Sequence, residues 1–377
     1  MEAVSTPQTH SSNIQWRQLW SLAGLYASVV IGWIAYQNYQ PKLLVQFQFT
    51  DFSFLLAVAQ GVILVITPPL AGRLGDRYRL KSGHRLPIIT AGMSFAAMVF
   101  MAVAFTLLSN PGEIFKWVLP VLIVFWLISM SIFTSPALST MELFTPADKL
   151  PSAMAVLTIA ANLLYSLEPI IVDIIDYIGA PLTFISGGVV VLISGIALRK
   201  NTLSLFEATK NREQEIDAQT QEAKQRKSAY GFIFFMGSAL GVATTVMFNL
   251  FPELFQVKLG ELLDNTDPKM VLVTILVISA FTSLPISTVV NRYGIGRAFW
   301  VSLVLLLVSL VALFTLNGVA VMLLMIAVFA LAFTAMSVSA LPLAISKANY
   351  YEKVMCVGIF FSGVALPDGI LQAIQAF

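Results

Sequence analysis

The chain has 377 residues, of which 58% are hydrophobic and only 11% are charged, and its mean hydropathy is +0.83. Soluble domains carry about 25% charged residues, so this composition excludes a soluble globular protein and indicates several membrane spans. The net charge of +2 is too small to indicate a nucleic-acid partner. One cysteine and two histidines are too few for a disulfide framework or a metal-binding motif, so we expect no metal and no cofactor.

Eleven apolar runs are long enough to cross a bilayer, which takes about 20 helical residues. They predict an all-α, polytopic protein in a lipid bilayer. The charged segment 199–228 predicts a solvated, partly helical linker between a six-helix bundle at 18–198 and a second bundle at 229–377, after a tail at 1–17. The runs fall at 18–38, 51–73, 87–109, 116–138, 152–174, 179–198, 229–251, 270–290, 298–317, 319–341 and 354–376.

Positive charges lie mostly on one side of these spans. With the N-terminus in the cytoplasm, all of the 22 Lys and Arg residues lie inside except Lys42, Lys116, Lys258 and Lys269. Because cytoplasmic loops carry the excess of Lys and Arg, we expect a multi-pass protein of the cell membrane with a cytoplasmic N-terminus.

The stretch from Pro69 to Pro87 interrupts an almost uncharged region with the sequence PLAGRLGDRYRLKSGHRLP. We predict a short loop between spans 2 and 3. Its pattern resembles the corresponding loop of the major facilitator superfamily, and its wide spacing is similar to that of the sucrose-type and glycoside-pentoside-hexuronide cation symporters. The resemblance rests on Pro69, Gly72, Asp76, Arg77, Gly83, Arg85 and Pro87.

These residue types are suited to a latch between helices. Glycines allow a neighbouring helix to come close, Asp76 can sit at the positive N-terminal end of another helix, and arginines can bridge to acids. The alternative is that the cations only fix topology. Residues 142–149 resemble the family's acid, proline and arginine loop, with lysine in place of arginine. The predicted latch comprises Gly72, Asp76, Arg77, Gly83, Arg85, Glu142, Lys149 and Arg292.

An internal repeat indicates two related halves. The segment from Pro69 to Asp76 has a counterpart from Pro285 to Asn291, and Ser152-Ala153-Met154 has one in Lys353-Val354-Met355. The family resemblance implies two pseudo-symmetric bundles, twelve spans and a transport path between the halves. Eleven spans are visible, so either the chain is shortened after span 11 or its C-terminus lies outside.

Asp368 is the best candidate for a coupling carboxylate, because ionisable side chains inside a span are costly and mark function. It follows Pro367 in span 11, where we expect a bent or broken helix. The alternative is a hydrogen bond that only holds the bundle together. Glu168, which precedes Pro169 in span 5, is the second candidate, and near the outer interface it can also simply stay hydrated.

A neutral polyol needs amide hydrogen bonds and a flat aromatic face. Candidate substrate contacts of this kind are Trp33, Gln37, Gln60, Asn162, Asn249 and Gln372. Aromatic residues near span ends are alternatively interface anchors. The related symporters commonly place carboxylates in spans 1, 2 or 4, and here those interiors have none, which favours a proton over sodium.

Together these features predict a secondary active transporter, not an enzyme, that acts as a monomer. It would move a small polar solute by alternating access, with a proton as the coupling ion, and the resemblance implies a sugar or glycoside. The alternative is a transport-inactive assembly factor or sensor with the same fold. A membrane enzyme is disfavoured because the sequence has no catalytic motif.

Overall fold

The computed structural model describes residues 13–46, 53–109, 117–219, 227–263, 267 and 269–375. Within these ranges the chain is built of helices and contains no strand. Ten helices are long and apolar enough to cross a membrane, or eleven when one sharply bent pair is taken as a single span. The predicted all-α fold with eleven spans is therefore confirmed. Most of the predicted tail, and residues 220–226 of the predicted linker, lie outside the described residues.

The helices fall into two halves on either side of residues 220–226. The N-terminal half contains α1 (Trp16–Gln46), α2 (Ser53–Ser82), α3 (Leu86–Leu108), α4 (Val118–Ser139), α5 (Met141–Phe144), α6 (Leu150–Ser166), α7 (Glu168–Ile178) and α8 (Ala180–Gln219). The C-terminal half contains α9 (Tyr230–Thr245), a π turn (Val246–Leu250), α10 (Phe251–Leu263), α11 (Lys269–Tyr293), α12 (Ile295–Thr315), α13 (Val319–Lys347) and α14 (Lys353–Gln375).

The predicted loop after span 2 is mostly helix. α2 continues to Ser82, and Gly83 then turns the chain with a φ of 78° before α3 begins at Leu86. The basic residues are good helix formers, and they extend the helix beyond its apolar part. We call the membrane face at which α2 ends and α3 begins the loop side, and the other face the opposite side.

Proline accompanies a break in two spans, whereas other helices, α14 among them, run unbroken through a proline. α6 and α7 meet at an angle of 61°, with Pro169 at the second residue of α7. The π turn directly precedes Pro252, whose missing N–H removes one regular hydrogen bond and favours the wider turn. α14, by contrast, runs unbroken through Pro367. The expected break in span 11 was wrong, because α14 is packed tightly against α2 and α9 along this stretch.

Two pairs of helices make the largest contacts between the halves. α2 packs on α14, and we call this contact the charged seam; α11 packs on α6, and we call this contact the neutral seam. The predicted repeat relates the two pairs, because α2 corresponds to α11 and α14 to α6. Large apolar side chains on the outside of the bundle are exposed, as a lipid-facing surface requires, for example Trp300 at 48%.

Candidate functional site

At the charged seam α2 and α14 approach each other closely, because glycines line the contact. A Cβ atom on Gly72 would lie 2.5 Å from the Cα of Met355, and one on Gly358 would lie 2.2 Å from the carbonyl oxygen of Pro68. Deeper in the membrane, Ser362 donates a hydrogen bond to the Val65 carbonyl. The two backbones are therefore in direct contact along several turns, and any added side chain would separate them.

Asp76 sits at the N-terminus of α14. Its two carboxylate oxygens accept hydrogen bonds from the backbone N–H groups of Val354 (3.2 Å) and Met355 (2.9 Å), and the residue is 6% exposed. The first N–H groups of a helix have no partner within the helix, and the helix dipole favours a negative charge there. Asp76 thus bonds the N-terminal half to the C-terminal half.

Next to Asp76 lies a second contact, in which a carboxylate pairs with two cations. Arg85 donates to the Ser139 carbonyl oxygen and to Glu142 Oε1, both at 2.8 Å, and it is 1% exposed. The other oxygen of Glu142 accepts a hydrogen bond from Lys353, the first residue of α14. Glu142 therefore neutralises two cations, one from each half. Lys353 cannot be recognised from the sequence, because 211 residues separate it from Glu142.

The arginine that reaches the C-terminal half is Arg79. It is 4% exposed, and its guanidinium lies 4.2 Å from the centre of the Tyr350 ring. Arg77, which we assigned to the latch, is exposed, and the described residues give it no hydrogen bond or ion pair. The helical continuation of α2 explains the difference. Buried positions follow i, i+3, i+4 and i+7, and here these are Gly72, Gly75, Asp76 and Arg79.

Three other predicted latch residues lie away from this contact. Gly83 ends α2 with its positive φ. Lys149 donates to Asn13 at 3.3 Å, within the N-terminal half. Arg292 is exposed at the end of α11.

The neutral seam makes the corresponding contact without charges. Asn291 Nδ2 donates to Ser152 Oγ at 2.9 Å, in the first turn of α6. Deeper in the seam, Asn162 Nδ2 donates to Ser279 Oγ at 2.7 Å, and Thr334 donates to the same oxygen at 2.8 Å. Asn162, a predicted substrate contact, therefore bonds directly across the two halves. Ser279 and Thr334 gave no signal in the sequence, because hydroxyls are common in transmembrane helices.

A polar cluster surrounds Asp368 in the C-terminal half. Gln372 donates to Asp368 Oδ2 at 2.7 Å, and Asn249 donates to Oδ1 at 3.4 Å. Asn249 lies in the π turn, a distortion that is frequent at functional sites. All three side chains are half-buried. Helix periodicity predicted the neighbours Asp368 and Gln372, whereas the link to Asn249 spans 119 residues.

This cluster lies where the halves meet. Gly369, next to Asp368, is close enough to α2 that a Cβ on it would lie 2.9 Å from the Cα of Gly61. On the other flank, the Tyr165 ring of α6 lies 5.3 Å from the Phe248 ring, beside Asn249. Tyr165 also lies within electrostatic reach of Asp368 and of Glu168 at the bend between α6 and α7.

The remaining predicted substrate contacts are in the N-terminal half. The Trp33 ring packs edge-on against Trp126 at 5.0 Å, so it belongs to an aromatic cluster of that half. Gln37 is exposed. Gln60 is 4% exposed, next to Gly61 at the charged seam. Among the described residues, no group of three or more His, Cys, Asp or Glu side chains is placed to hold a metal ion.

Comparison with known proteins identifies the fold. A family model described as Major Facilitator Superfamily matches residues 7–367. The crystal structure of the human organic anion transporter MFSD10 (TETRAN) matches with a TM-score of 0.65 and 13% identity, over 96% of this chain and 93% of that chain. The crystal structure of a bacterial homologue of the iron transporter ferroportin, in an outward-facing state with soaked iron, matches with a TM-score of 0.62 and 15% identity, over 97% and 91%.

At these identities the two structures establish the fold alone. A search of curated protein sequences gives no match. The family model covers nearly the whole chain, and both structural neighbours are membrane transporters or homologues of one. The chain belongs to the Major Facilitator Superfamily, and it is a multi-pass membrane protein with the fold of a membrane transporter.

Proposed function

We propose that this protein is a secondary active transporter, not an enzyme, that moves a small polar solute by alternating access. The two halves rock against each other, and the solute binds between them at the Asp368 cluster. The loop side is the cytoplasmic face of a cell membrane, and a monomer is sufficient. The resemblance of the sequence to sugar symporters makes sugars and glycosides the first solutes to test.

The observation that carries this proposal is the position of Asp368 between the halves. Its carboxylate is held by amides of two helices, and α2 and α6 of the other half flank it. A rocking motion changes what faces the carboxylate, so its free energy of protonation differs between the two states. A carboxylate with this property couples proton movement to the motion.

The loop-side contacts supply the second element of the mechanism. Asp76, Arg79, Glu142 and Lys353 hold the halves together at that face, so this structure represents the state closed on the loop side. Opening requires these contacts to separate. Because each charged group then reaches water, the cost of separation is moderate, and a bound solute can offset it.

A counterflow screen in proteoliposomes tests the proposal. Sugars, glycosides, organic anions and organic cations are offered in turn, with and without a proton gradient. We expect one class to show counterflow, and net uptake to respond to the proton gradient. Asp368→Asn should remove the response of net uptake to the proton gradient, because the carboxylate that takes up and releases the proton is gone.

Matched controls separate coupling from loss of folding. Asp173→Asn and Glu253→Gln change exposed carboxylates near the opposite side and should leave uptake as in the unmodified protein. Glu168→Gln tests the second candidate. Net uptake that ignores the proton gradient, and that Asp368→Asn and Glu168→Gln both leave unchanged, would contradict proton coupling. Absence of counterflow for every class would favour the alternative of an assembly factor or sensor.

A further inference from the structure

The groups around Asp368 are almost all hydrogen-bond acceptors. Both N–H bonds of the Asn249 amide are engaged, one by the Thr245 carbonyl oxygen at 3.1 Å and one by Asp368. One N–H of Gln372 is also used on Asp368. The described residues give no hydrogen bond to the amide oxygen of either residue, and the second N–H of Gln372 is also unused. Such a set suits a ligand that offers several donors.

Asp368 also has no counter-ion. Among the described residues, no Lys, Arg or His forms a hydrogen bond or ion pair with it. Lys353, at the start of the same helix, is fifteen residues away, which is about 22 Å along an α-helix. At an effective dielectric constant of 20, two charges that far apart interact by less than about 1 kcal/mol.

Among the described residues, the cations of the opposite side are engaged elsewhere or lie at the ends of helices. Lys42 pairs with Asp176 at 2.8 Å. Lys258 donates to three carbonyl oxygens at the end of α12, those of Leu313, Phe314 and Leu316. Lys269, which is exposed, interacts with Glu168. The carboxylate of Asp368 therefore needs a proton or a bound cation to be neutralised.

Three classes of solute fit this site poorly. An anion would meet a carboxylate and acceptor oxygens with no cation to bind it. A divalent metal ion would find a single carboxylate, where such ions usually bind several charged ligands. A neutral sugar has hydroxyls that both donate and accept, and only one amide N–H of this cluster, on Gln372, is left to donate to it.

We propose that the Asp368 cluster binds a monovalent organic cation with an ammonium group. This inference rests on the proposed transport function and names its substrate class. The ammonium donates to the Asp368 carboxylate and to the free oxygens of Asn249 and Gln372. The rings of Tyr165 and Phe248, which lie beside Asn249, offer a surface for the organic part and a cation–π contact.

A cation and a proton then compete for one carboxylate. In the empty site Asp368 carries a proton, and binding of the ammonium releases that proton to the water on the side to which the site is open. The only covalent change is the transfer of this proton from Asp368 to water. Since the two ligands exclude each other, transport exchanges one proton for one monovalent cation instead of moving both together.

On the described helices that pack against α14, no other titratable group lies close to Asp368. Four of the described α-helices pack against α14, and their described titratable side chains lie toward the loop side. The first of these on α2 is Arg73, α9 has Tyr230 and α13 has Lys347, while α4 has none. Across the interface, Tyr165 interacts electrostatically with Asp368 and with Glu168, and Glu168 has Lys269 nearby. Glu168→Gln is therefore the necessary companion variant.

Three probes of one shape test the charge preference: benzylammonium, benzyl alcohol and benzoate. Binding to the purified full-length chain in detergent is measured by isothermal titration calorimetry. Repeating each titration in two buffers with different ionisation heats counts the protons released. We expect benzylammonium to bind and, in the acidic part of a pH series, to release about one proton. In that part its affinity should fall about tenfold for each unit by which the pH is lowered.

The variants assign the effect to Asp368. Asp368→Asn should weaken benzylammonium binding by at least about tenfold and abolish proton release, because one charge-assisted contact is worth that much. Asp368→Glu should restore both, which separates a binding role from a folding defect. Asp173→Asn should behave like the unmodified chain. Loss of proton release in Glu168→Gln, with proton release retained in Asp368→Asn, would assign the competition to Glu168 and overturn the inference.

Two results would overturn the inference. One is binding of benzyl alcohol or benzoate as tight as that of benzylammonium; the other is benzylammonium binding that is absent, releases no proton or survives Asp368→Asn. Sugar counterflow without such amine binding would leave the transport proposal intact and remove only this one. Amine binding that depends on Asp368, without counterflow of any solute, would remove the transport proposal and retain the cation site.

Discussion

The charged and neutral seams occupy equivalent places in the two halves but are built differently. Where Asp76 accepts two backbone N–H groups of α14, Asn291 donates to a single hydroxyl at the start of α6. Glu142 and Lys353 join the halves beside the charged seam, and the described residues of the neutral seam show no such ion pair. An internal repeat has thus kept the contact and changed its strength.

This difference assigns separate roles to the seams. A carboxylate at a helix N-terminus and a buried ion pair have two distinct states, bonded or hydrated, and they favour one conformation of the halves. Amide and hydroxyl contacts cost little to exchange and suit a surface that stays in contact during rocking. We therefore expect substitutions in the charged seam to shift the conformational equilibrium, and those in the neutral seam to change it little.

The largest effect is expected from Glu142→Gln. This change leaves the buried Arg85 and the half-buried Lys353 without their acid, and loss of one partner of a buried ion pair costs about 3–5 kcal/mol. The thermal midpoint of the purified protein should fall, and the loop side should open. Asp148→Asn, an exposed acid at the same face, is the control. An unchanged midpoint would show that the ion pair is too hydrated to matter.

The next largest effect is expected from Gly72→Ala. The new methyl group would lie 2.5 Å from the Met355 backbone, so α2 and α14 must separate. Overpacking of this kind costs about 1–3 kcal/mol, which should open the loop side and reduce counterflow. Gly231→Ala, which faces open space, should have no effect. Equal behaviour of the two variants would mean that the seam is not closed in the membrane.

A comparison of Arg79→Gln with Arg77→Gln sharpens the assignment within α2. Arg79 lies over the Tyr350 ring, where a desolvated cation–π contact is worth about 2 kcal/mol, whereas Arg77 is exposed. Only Arg79→Gln should open the loop side, measured by cysteine labelling at that face. A larger effect of Arg77→Gln would restore the interpretation based on the sequence motif alone.

Sequence reasoning succeeded where local chemistry decides the structure. The apolar runs predicted the eleven spans, because a bilayer fixes how long an apolar helix must be. It failed for the end of α2, where a run of charges was interpreted as a loop. Read as a helix, the same residues give the buried stripe that contains Asp76 and Arg79 and excludes Arg77.

The site was harder to predict from the sequence than the fold. Asp368 and Gln372 are neighbours on one helix and were found together, but Asn249 joins them only through tertiary packing. The π turn that carries Asn249 depends on how α9 and α10 pack, and the Pro252 signal alone does not predict it. Lys353 and Ser279 were missed for the same reason, since their partners lie in the other half.

The chain contains a natural reporter for the central claim. Cys356 is its only cysteine, and it is fully buried in the first turn of α14, next to Met355. Its reaction with a maleimide measures how often the first turn of α14, whose backbone N–H groups donate to Asp76, becomes accessible to water at the loop side. Cys356→Ser gives the background, and labelling after unfolding gives the total.

The most direct test compares the labelling rate of Cys356 in Asp76→Asn and in Asn291→Ala, each in proteoliposomes. A carboxylate at a helix N-terminus is worth about 1 kcal/mol, so Asp76→Asn should raise the rate about fivefold. Asn291→Ala, which removes a neutral contact, should change it by less than about twofold. Equal rates in the two variants, or a rate in Asp76→Asn that matches the unmodified chain, would contradict a charged seam that holds the loop side closed.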